Sequence, residues 1–395
     1  MEVEPFTIRI PDSALSDLHA RLDATRFADD YDNDDWSYGV SGAYLKELIA
    51  SWRRFDWRAQ EALMNELPQF RATVDDVPIH FVHLRGRGRR VVPIILSHGW
   101  PWTFWDWRDV VLRLADPAAY GLDDGLAFDV VVPSLPGLAF SGPLRRSDIG
   151  AQETADLWVT LMAGLGYDRF CAAGGDWGAV VTLNLAHAHA DRVLGVHVSP
   201  PFVPGFASTP CGPEDYGPDE ADWHERTVAR MATTQVHKLV QAQQPQTLAW
   251  ALNDSPLGLA AWLVQRRRDW SDCGGDVESA FSRDFLLATF SLYWFTQTSH
   301  SAARFYAVNA RIPWQPRHDR QPVLEAPVAV AVMPQDVLLL PRRFLADHAN
   351  LVRWTVMPRG GHFSAAEQPQ LIADDIAAFF AGQVESERAK EGETI

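Results

Sequence analysis

Two glycines flank an aspartate at a spacing that exposes it: Cys171-Ala-Ala-Gly-Gly-Asp-Trp-Gly-Ala-Val180 contains Gly174-x-Asp176-x-Gly178. A sharp strand-to-helix turn leaves no room for side chains two positions either side of its apex, and the apical residue is thrust into the open as a nucleophile. A serine there would indicate acyl transfer. Aspartate attacking an ester or amide would give a high-energy anhydride, so Asp176 points to displacement at an sp3 carbon, with epoxides and alkyl halides as the evident electrophiles. The product of that step is an alkyl ester of Asp176. Its breakdown needs a base to bring water onto the ester carbonyl and N–H donors to hold the oxyanion that develops. Taken alone the pentapeptide also reads as a tight turn with a helix-capping aspartate, so the rest of the chain has to supply the base and the donors.

It contains candidates for both. Most of the 13 histidines must be structural or lie at the surface. His362 stands apart because Gly360-Gly361-His362-Phe363 follows the last strand signal and its double glycine lets the loop approach the turn closely. Asp336, in Met333-Pro334-Gln335-Asp336 after an apolar run, is the acid expected to orient that imidazole. Ser97-His98-Gly99-Trp100-Pro101 ends another apolar strand. The backbone N–H groups of Trp100 and of Trp177, directly after the nucleophile, are the expected oxyanion hole, with His98 supporting the loop rather than doing chemistry.

These residues need a scaffold of alternating strands and helices. Apolar runs from Val91 to Ser97, Phe128 to Pro133 and Phe170 to Gly174 are each followed by turns and helical periodicity, which reads as a parallel sheet, and Val193 to Ser199 is a further run before the alternation stops. The alternation breaks at about 203 and resumes with runs from Pro327 to Met333 and from Leu351 to Met357, followed by an amphipathic helix from about Gln368 to Phe380. Ahead of the core come two amphipathic helices, one started by Asp12 and Ser13 with Leu15, Leu18 and Leu22 in phase, the other with Leu45, Leu48, Ile49 and Trp52 on one face. The fold class is therefore α/β: an α/β-hydrolase fold with a mostly parallel central sheet, an inserted helical lid and an N-terminal helical meander. The expected organisation is an N-terminal attachment over 1–88, a core over 89–202 and 321–383, an inserted helical lid over 203–320 and a disordered tail over 384–395.

Composition narrows the partners. Hydrophobic residues at 47% and charged residues at 22% describe a globular chain, so disorder is excluded for most of it. Lys and Arg number 35 against 51 Asp and Glu, and the formal charge of -16 repels nucleic acid and anionic membrane surfaces. Cys171, Cys211 and Cys273 are widely spaced and odd in number, which indicates neither a disulfide framework nor a zinc site and fits a reducing compartment. No apolar run is long enough to span a bilayer, so a cytoplasmic protein is expected.

From Pro5 to Phe380 the chain resembles the microsomal-type epoxide hydrolases in their soluble bacterial form. The likeness is carried by Asp35-Trp-Ser-Tyr-Gly-Val, Asp56-Trp-Arg, Leu67-Pro-Gln-Phe, Ile79-His-Phe-Val-His, His98-Gly-Trp-Pro, Ser134-Leu-Pro-Gly, Gly174-Gly-Asp-Trp-Gly, Ala251-Leu-Asn-Asp-Ser-Pro and Gly360-Gly-His-Phe. The resemblance implies a hydrolase core, a mostly helical lid and an N-terminal meander over 1–88 that wraps core and lid, with Asp176, Asp336 and His362 as the triad and conversion of an epoxide to a vicinal diol. In that family two lid tyrosines hold the ring oxygen. Ser301-Ala-Ala-Arg-Phe-Tyr306 matches the stretch bearing one of them, which makes Tyr306 the expected proton donor. The other tyrosine is missing, and its place falls at His237 or near Gln235 and Val236. Three readings stay open: His237, as a protonated imidazole, gives the second hydrogen bond; Tyr306 works alone; or the substrate brings its own hydroxyl.

A second departure is Trp102-Thr103-Phe104-Trp105, where the family has a small Gly-Ser. With 16 tryptophans in the chain, Trp102 and Trp105 are expected to line the pocket and to favour a flat, bulky or aromatic epoxide over a short aliphatic one. The rival enzymatic reading is a haloalkane dehalogenase, which shares an aspartate nucleophile followed by tryptophan; a non-catalytic ligand receptor on the same fold is a third. Water and a small-molecule epoxide are the expected partners, with no cofactor, no metal and a homodimer left open.

Overall fold

The computed structural model describes residues 1–123, 125–205 and 211–392. Nine strands form one sheet: β1 (Val3–Phe6), β2 (Gln69–Val74), β3 (Val77–Leu84), β4 (Val91–Ser97), β5 (Ala127–Pro133), β6 (Phe170–Gly175), β7 (Val193–Ser199), β8 (Leu324–Val332) and β9 (Ala349–Val356). Their spatial order is β1-β2-β3-β5-β4-β6-β7-β8-β9. From β5 to β9 every neighbouring pair is parallel, and β1, β2 and β3 add antiparallel pairs on one edge. Every residue of β6 is buried, as expected of a central parallel strand covered on both faces.

The strand runs read from sequence lie where the parallel strands are, with β8 starting three residues before the apolar run. Three strands were not anticipated. β1, β2 and β3 belong to the segment expected to be a helical meander, so a boundary at 88 cuts through the sheet. Asp75 and Asp76 alone separate β2 from β3, both at positive φ (46° and 64°), the conformation that two-residue hairpin turns require. That two-residue gap was the available signal.

The leading helices bury the faces expected of them, Leu18 and Leu22 on Asp12–Asp23 and Leu48, Ile49 and Trp52 on Gly42–Arg54. Pro11 rather than Asp12 or Ser13 occupies the cap position of the first, and Asp12 instead pairs with Arg58 at 2.5 Å. Between β7 and β8 the described chain is helical, the main helices being Trp223–Gln243, Pro245–Asp254, Pro256–Trp270, Arg283–Thr296 and Ser299–Arg311.

The expected tail is corrected as well. The last helix runs Pro369–Gly392, Val384 is buried and Glu387 pairs with Arg169 at 2.6 Å, so packing and charge hold a segment whose composition alone looks frayed. Residues 393–395 lie outside the described residues. Among the described residues no helix is long and apolar enough to cross a membrane, and no group of three or more His, Cys, Asp or Glu is arranged to hold a metal ion.

Candidate active site

Asp176 joins β6 to the helix Trp177–Ala188 with φ 55° and ψ -126°, a backbone region costly for any residue bearing a Cβ, by about 1–3 kcal/mol. The turn closes because a Cβ at Gly178 would lie 2.0 Å from the Ser97 carbonyl oxygen, so only glycine fits. Gly99 meets the same constraint from the other side, where a Cβ would fall 2.0 Å from Asp176 Oδ1. That close approach lets the Trp100 N–H donate to Asp176 Oδ1 at 2.7 Å. The Trp177 N–H, in the first turn of its helix, has no intrahelical acceptor. Among the described residues it forms no hydrogen bond to the Asp176 carboxylate.

His98 is wholly buried behind this loop. Leu135 N–H donates to its Nε2 at 3.1 Å, so the proton sits on Nδ1, which faces the Gly99 carbonyl at 3.0 Å. Burial lowers its pKa to about 4, leaving a neutral imidazole that shapes the loop.

The loop after β9 carries His362 against the other oxygen of the turn: Nε2 is 2.9 Å from Asp176 Oδ2 and Nδ1 is 2.8 Å from Asp336 Oδ1. Burial would depress this imidazole, but the Asp336 charge and the two carboxylate hydrogen bonds outweigh it and raise the pKa to about 10. Asp336 Oδ1 also accepts from Val337 N–H at 2.6 Å. Arg226 and Arg230 of the helix Trp223–Gln243 reach over the Asp336 loop, hydrogen-bonding the carbonyls of Pro334, Gln335 and Asp336.

Asp176 and His362 open onto a cavity of about 750 Å³ under the lid helices. Tyr306 faces them from the helix Ser299–Arg311, its ring edge-on to Trp177 at 5.0 Å and to Trp100 at 5.8 Å. Burial and then the Asp176 charge push its phenol well above the ordinary range, while the Trp177 side chain acts as a hydrogen-bond partner that opposes the rise.

His237 lines the same cavity, stacked on Trp100 at 5.5 Å and tilted against Trp270 at 4.6 Å. The expectation of a protonated His237 is corrected: burial, with the Arg266 charge adding to it, lowers its pKa to about 3. The Thr234 backbone opposes that fall without overcoming it, so the ring in the cavity wall is neutral.

The pocket role expected of Trp102 and Trp105 is also corrected, since neither lines the cavity. After Pro101 the chain enters a short 3-10 turn, Phe104–Trp107, closed by reciprocal hydrogen bonds between Thr103 and Asp106, and this aims the indoles inward. Trp102 is fully buried behind the catalytic loop against His362 and Phe363, and Trp105 packs on Phe104 under Arg108.

Several residues at the site carried no clear signal. Arg267, within a run of three arginines that reads as a solvated face, is fully buried and bonds Asp106 at 2.7 and 3.2 Å and the Pro101 carbonyl at 3.0 Å, fastening the lid to the oxyanion loop. Trp270 lines the cavity and places its ring 5.2 Å from that of His362. Glu367 could have been noticed only as the last residue of Ser364-Ala-Ala-Glu367, a helix-start pattern.

Comparison with known proteins places this site in a family. Residues 3–107 match the model of the epoxide hydrolase N terminus and residues 92–369 that of the alpha/beta hydrolase fold. The chain is 39% identical to a Stigmatella aurantiaca protein provisionally named an epoxide hydrolase, over 96% of this chain and 84% of that one. It is 31% identical to Epoxide hydrolase 1 of Sus scrofa, over 95% of this chain and 88% of the relative. Among solved structures, Aspergillus niger epoxide hydrolase superposes with a TM-score of 0.82 at 27% identity, over 97% of each chain. With relatives above 30% identity along nearly its whole length, the chain belongs to the epoxide hydrolase family on the α/β-hydrolase fold.

Proposed function

We propose the following division of labour for an enzyme that hydrolyses an epoxide to a vicinal diol. Asp176 Oδ2 attacks one ring carbon, that carbon's bond to the ring oxygen breaks, and the oxygen takes the Tyr306 phenolic proton. Once Asp176 is esterified the His362 imidazolium gives up its proton, which by way of bulk water restores the Tyr306 phenol; the neutral ring then removes a proton from water, and the hydroxide adds to Cγ of the Asp176 ester. Charge develops on Oδ1, where the Trp100 N–H already points and the Trp177 N–H is free to join it. Collapse of that intermediate expels the diol as its alkoxide, which takes the proton left on the re-formed Asp176 carboxyl, so the site returns to a carboxylate paired with an imidazolium that Asp336 stabilises.

The observation that carries this reading is the unbroken chain Asp336–His362–Asp176, at 2.8 and 2.9 Å, with the Trp100 N–H at 2.7 Å on the second Asp176 oxygen and Tyr306 across the same cavity. Tyr306 gives up the proton to the ring oxygen in this scheme, because His237 is neutral and has no imidazolium proton to give. The substrate is bulky and apolar. This rests on the cavity volume and on walls that include Val228, Met231, Leu340, Phe344 and Trp314, not on Trp102 or Trp105. Free Cys171, Cys211 and Cys273 fit residence in the cytoplasm.

The test is to mix His362→Gln with aryl epoxides and with alkyl halides and weigh the intact protein. An adduct of the whole epoxide that Asp176→Asn abolishes supports the scheme. An adduct of an alkyl halide less hydrogen halide would instead make the chain a dehalogenase, and binding without any adduct would make it a receptor. Higher kcat/KM for stilbene oxide than for propylene oxide is the outcome expected of the cavity; the reverse order would overturn the assignment of a bulky substrate.

A further inference from the structure

Four consecutive backbone N–H groups, from Gly360 to Phe363, hold the loop that carries His362, and their acceptors come from the lid and from one glutamate. Gly360 N–H donates to Asp272 Oδ2 at 2.9 Å, Gly361 N–H to Glu367 Oε2 at 2.9 Å, His362 N–H to the Trp270 carbonyl at 2.7 Å, and Phe363 N–H to Glu367 Oε1 at 2.9 Å. Glu367 Oε2 also accepts the N–H of Asp272 at 2.8 Å. One carboxylate therefore joins residues 270–272 of the lid to the catalytic loop. The two backbones touch so closely that a Cβ at Gly361 would fall 2.7 Å from Asp272 N and from the Trp270 carbonyl oxygen.

Glu367 touches neither Asp176 nor the imidazole in any step set out above, yet it is held where ionisation is costly. Burial pushes its carboxyl up to about 7, the nearby Asp336 charge adds to the rise, and the N–H groups of Asp272, Phe363 and Gly361 oppose it. A carboxylate kept in such surroundings, outside the reacting groups but against their backbone, is a candidate for a functional role. The segment it clamps is also the one a ligand meets, because Trp270 lines the cavity and its carbonyl holds the His362 N–H.

We propose that Glu367 is a positioning residue for His362, clamping lid residues 270–272 onto the catalytic loop so that the imidazole is fixed for hydrolysis of the ester, without a part in ring opening. Ring opening is spared because its own groups are supported elsewhere. Asp176 is set by the turn at Gly178 and by Trp100, and Tyr306 stands on the helix Ser299–Arg311. The inference rests on the two-step scheme above.

Glu367→Gln tests it nearly isosterically. Glutamine has one acceptor oxygen, so its NH2 must face at least one of the three N–H donors. The probe is styrene oxide or trans-stilbene oxide, whichever His362→Gln traps. Rapid-quench mass measurement should show alkylation within about twofold of wild type and hydrolysis slower by about 10- to 100-fold, the scale of a misplaced catalytic group. In the steady state kcat and KM should fall together, leaving kcat/KM, which reports ring opening, unchanged. Asp272→Ala, an exposed site that loses only the Gly360 acceptor, should give the same split in weaker form and serves if the glutamine variant does not fold. Equal losses in both steps, or unchanged hydrolysis in a folded variant, would overturn the proposal. Absence of any trapped ester in His362→Gln would instead bring down the two-step scheme itself.

Discussion

His362 Nε2 lies 2.9 Å from Asp176 Oδ2, so in the resting site the imidazole is paired with the carboxylate whose ester it is proposed to hydrolyse. This pairing, together with Asp336, raises the His362 pKa to about 10. Esterification neutralises Asp176, removes one of the two supporting charges and lowers the imidazole pKa at the stage where a base is required.

The first prediction follows from that change of charge. In single-turnover experiments alkylation should be nearly flat from about pH 6 to about pH 9, whereas hydrolysis should rise with pH through the lowered imidazole pKa. Stability has its own sign. The folded-state pKa is raised above the ordinary 6.5, so the contribution is fully present below about 6.5 and is lost as pH rises towards about 10. Thermal midpoints of wild type and His362→Gln should therefore converge as pH rises from about 7 to about 10. A gap that widened would refute the imidazolium pairing.

Asp176→Asn should lower kcat on the order of 10⁶-fold, the scale of losing a triad's nucleophile. In wild type, one turnover in oxygen-18 water should place the label in Asp176 rather than in the first diol formed, because water attacks Cγ of the ester. Label found directly in the first diol would mean attack of water on the ring.

Tyr306→Phe should slow alkylation by about 10²- to 10⁴-fold, the usual contribution of a positioned acid, with folding intact. His237→Gln, by contrast, should leave the pH dependence of alkylation unchanged between about pH 5 and about pH 8, since a neutral ring loses no charge there. A new or vanished titration in that window would restore a charged His237.

Arg267→Met would strand Asp106 in a pair whose two side chains have no solvent exposure. Removing one partner of a buried ion pair costs about 3–5 kcal/mol, so a large fall in the denaturation midpoint is expected. Replacing both members with apolar residues should recover much of it. Equal midpoints for wild type and the single variant would show that the pair holds nothing.

How much of this was open to reading from the sequence depended on how local each signal is. The alternating strand and helix runs and the Gly-x-Asp-x-Gly turn depend on neighbours a few residues apart, and from them the α/β-hydrolase fold followed directly. Gly360-Gly361-His362-Phe363 and the Asp336 loop were visible for the same reason. The β2–β3 hairpin is harder to read because its two-residue turn, Asp75-Asp76, lacks the glycine that marks most such turns. Other features depend on burial and on partners far along the chain, which composition does not report. The indoles of Trp102 and Trp105 turn into the core, Arg267 reaches Asp106 across 161 residues, and His237 loses its charge among rings from other elements. Glu367 meets Asp272 across 95 residues. Which groups can react is legible along the chain, because side-chain chemistry and short-range turns are local; which are charged, which face the cavity and which hold the reacting groups in place emerge only on folding, because desolvation and pairing exist only once distant segments pack.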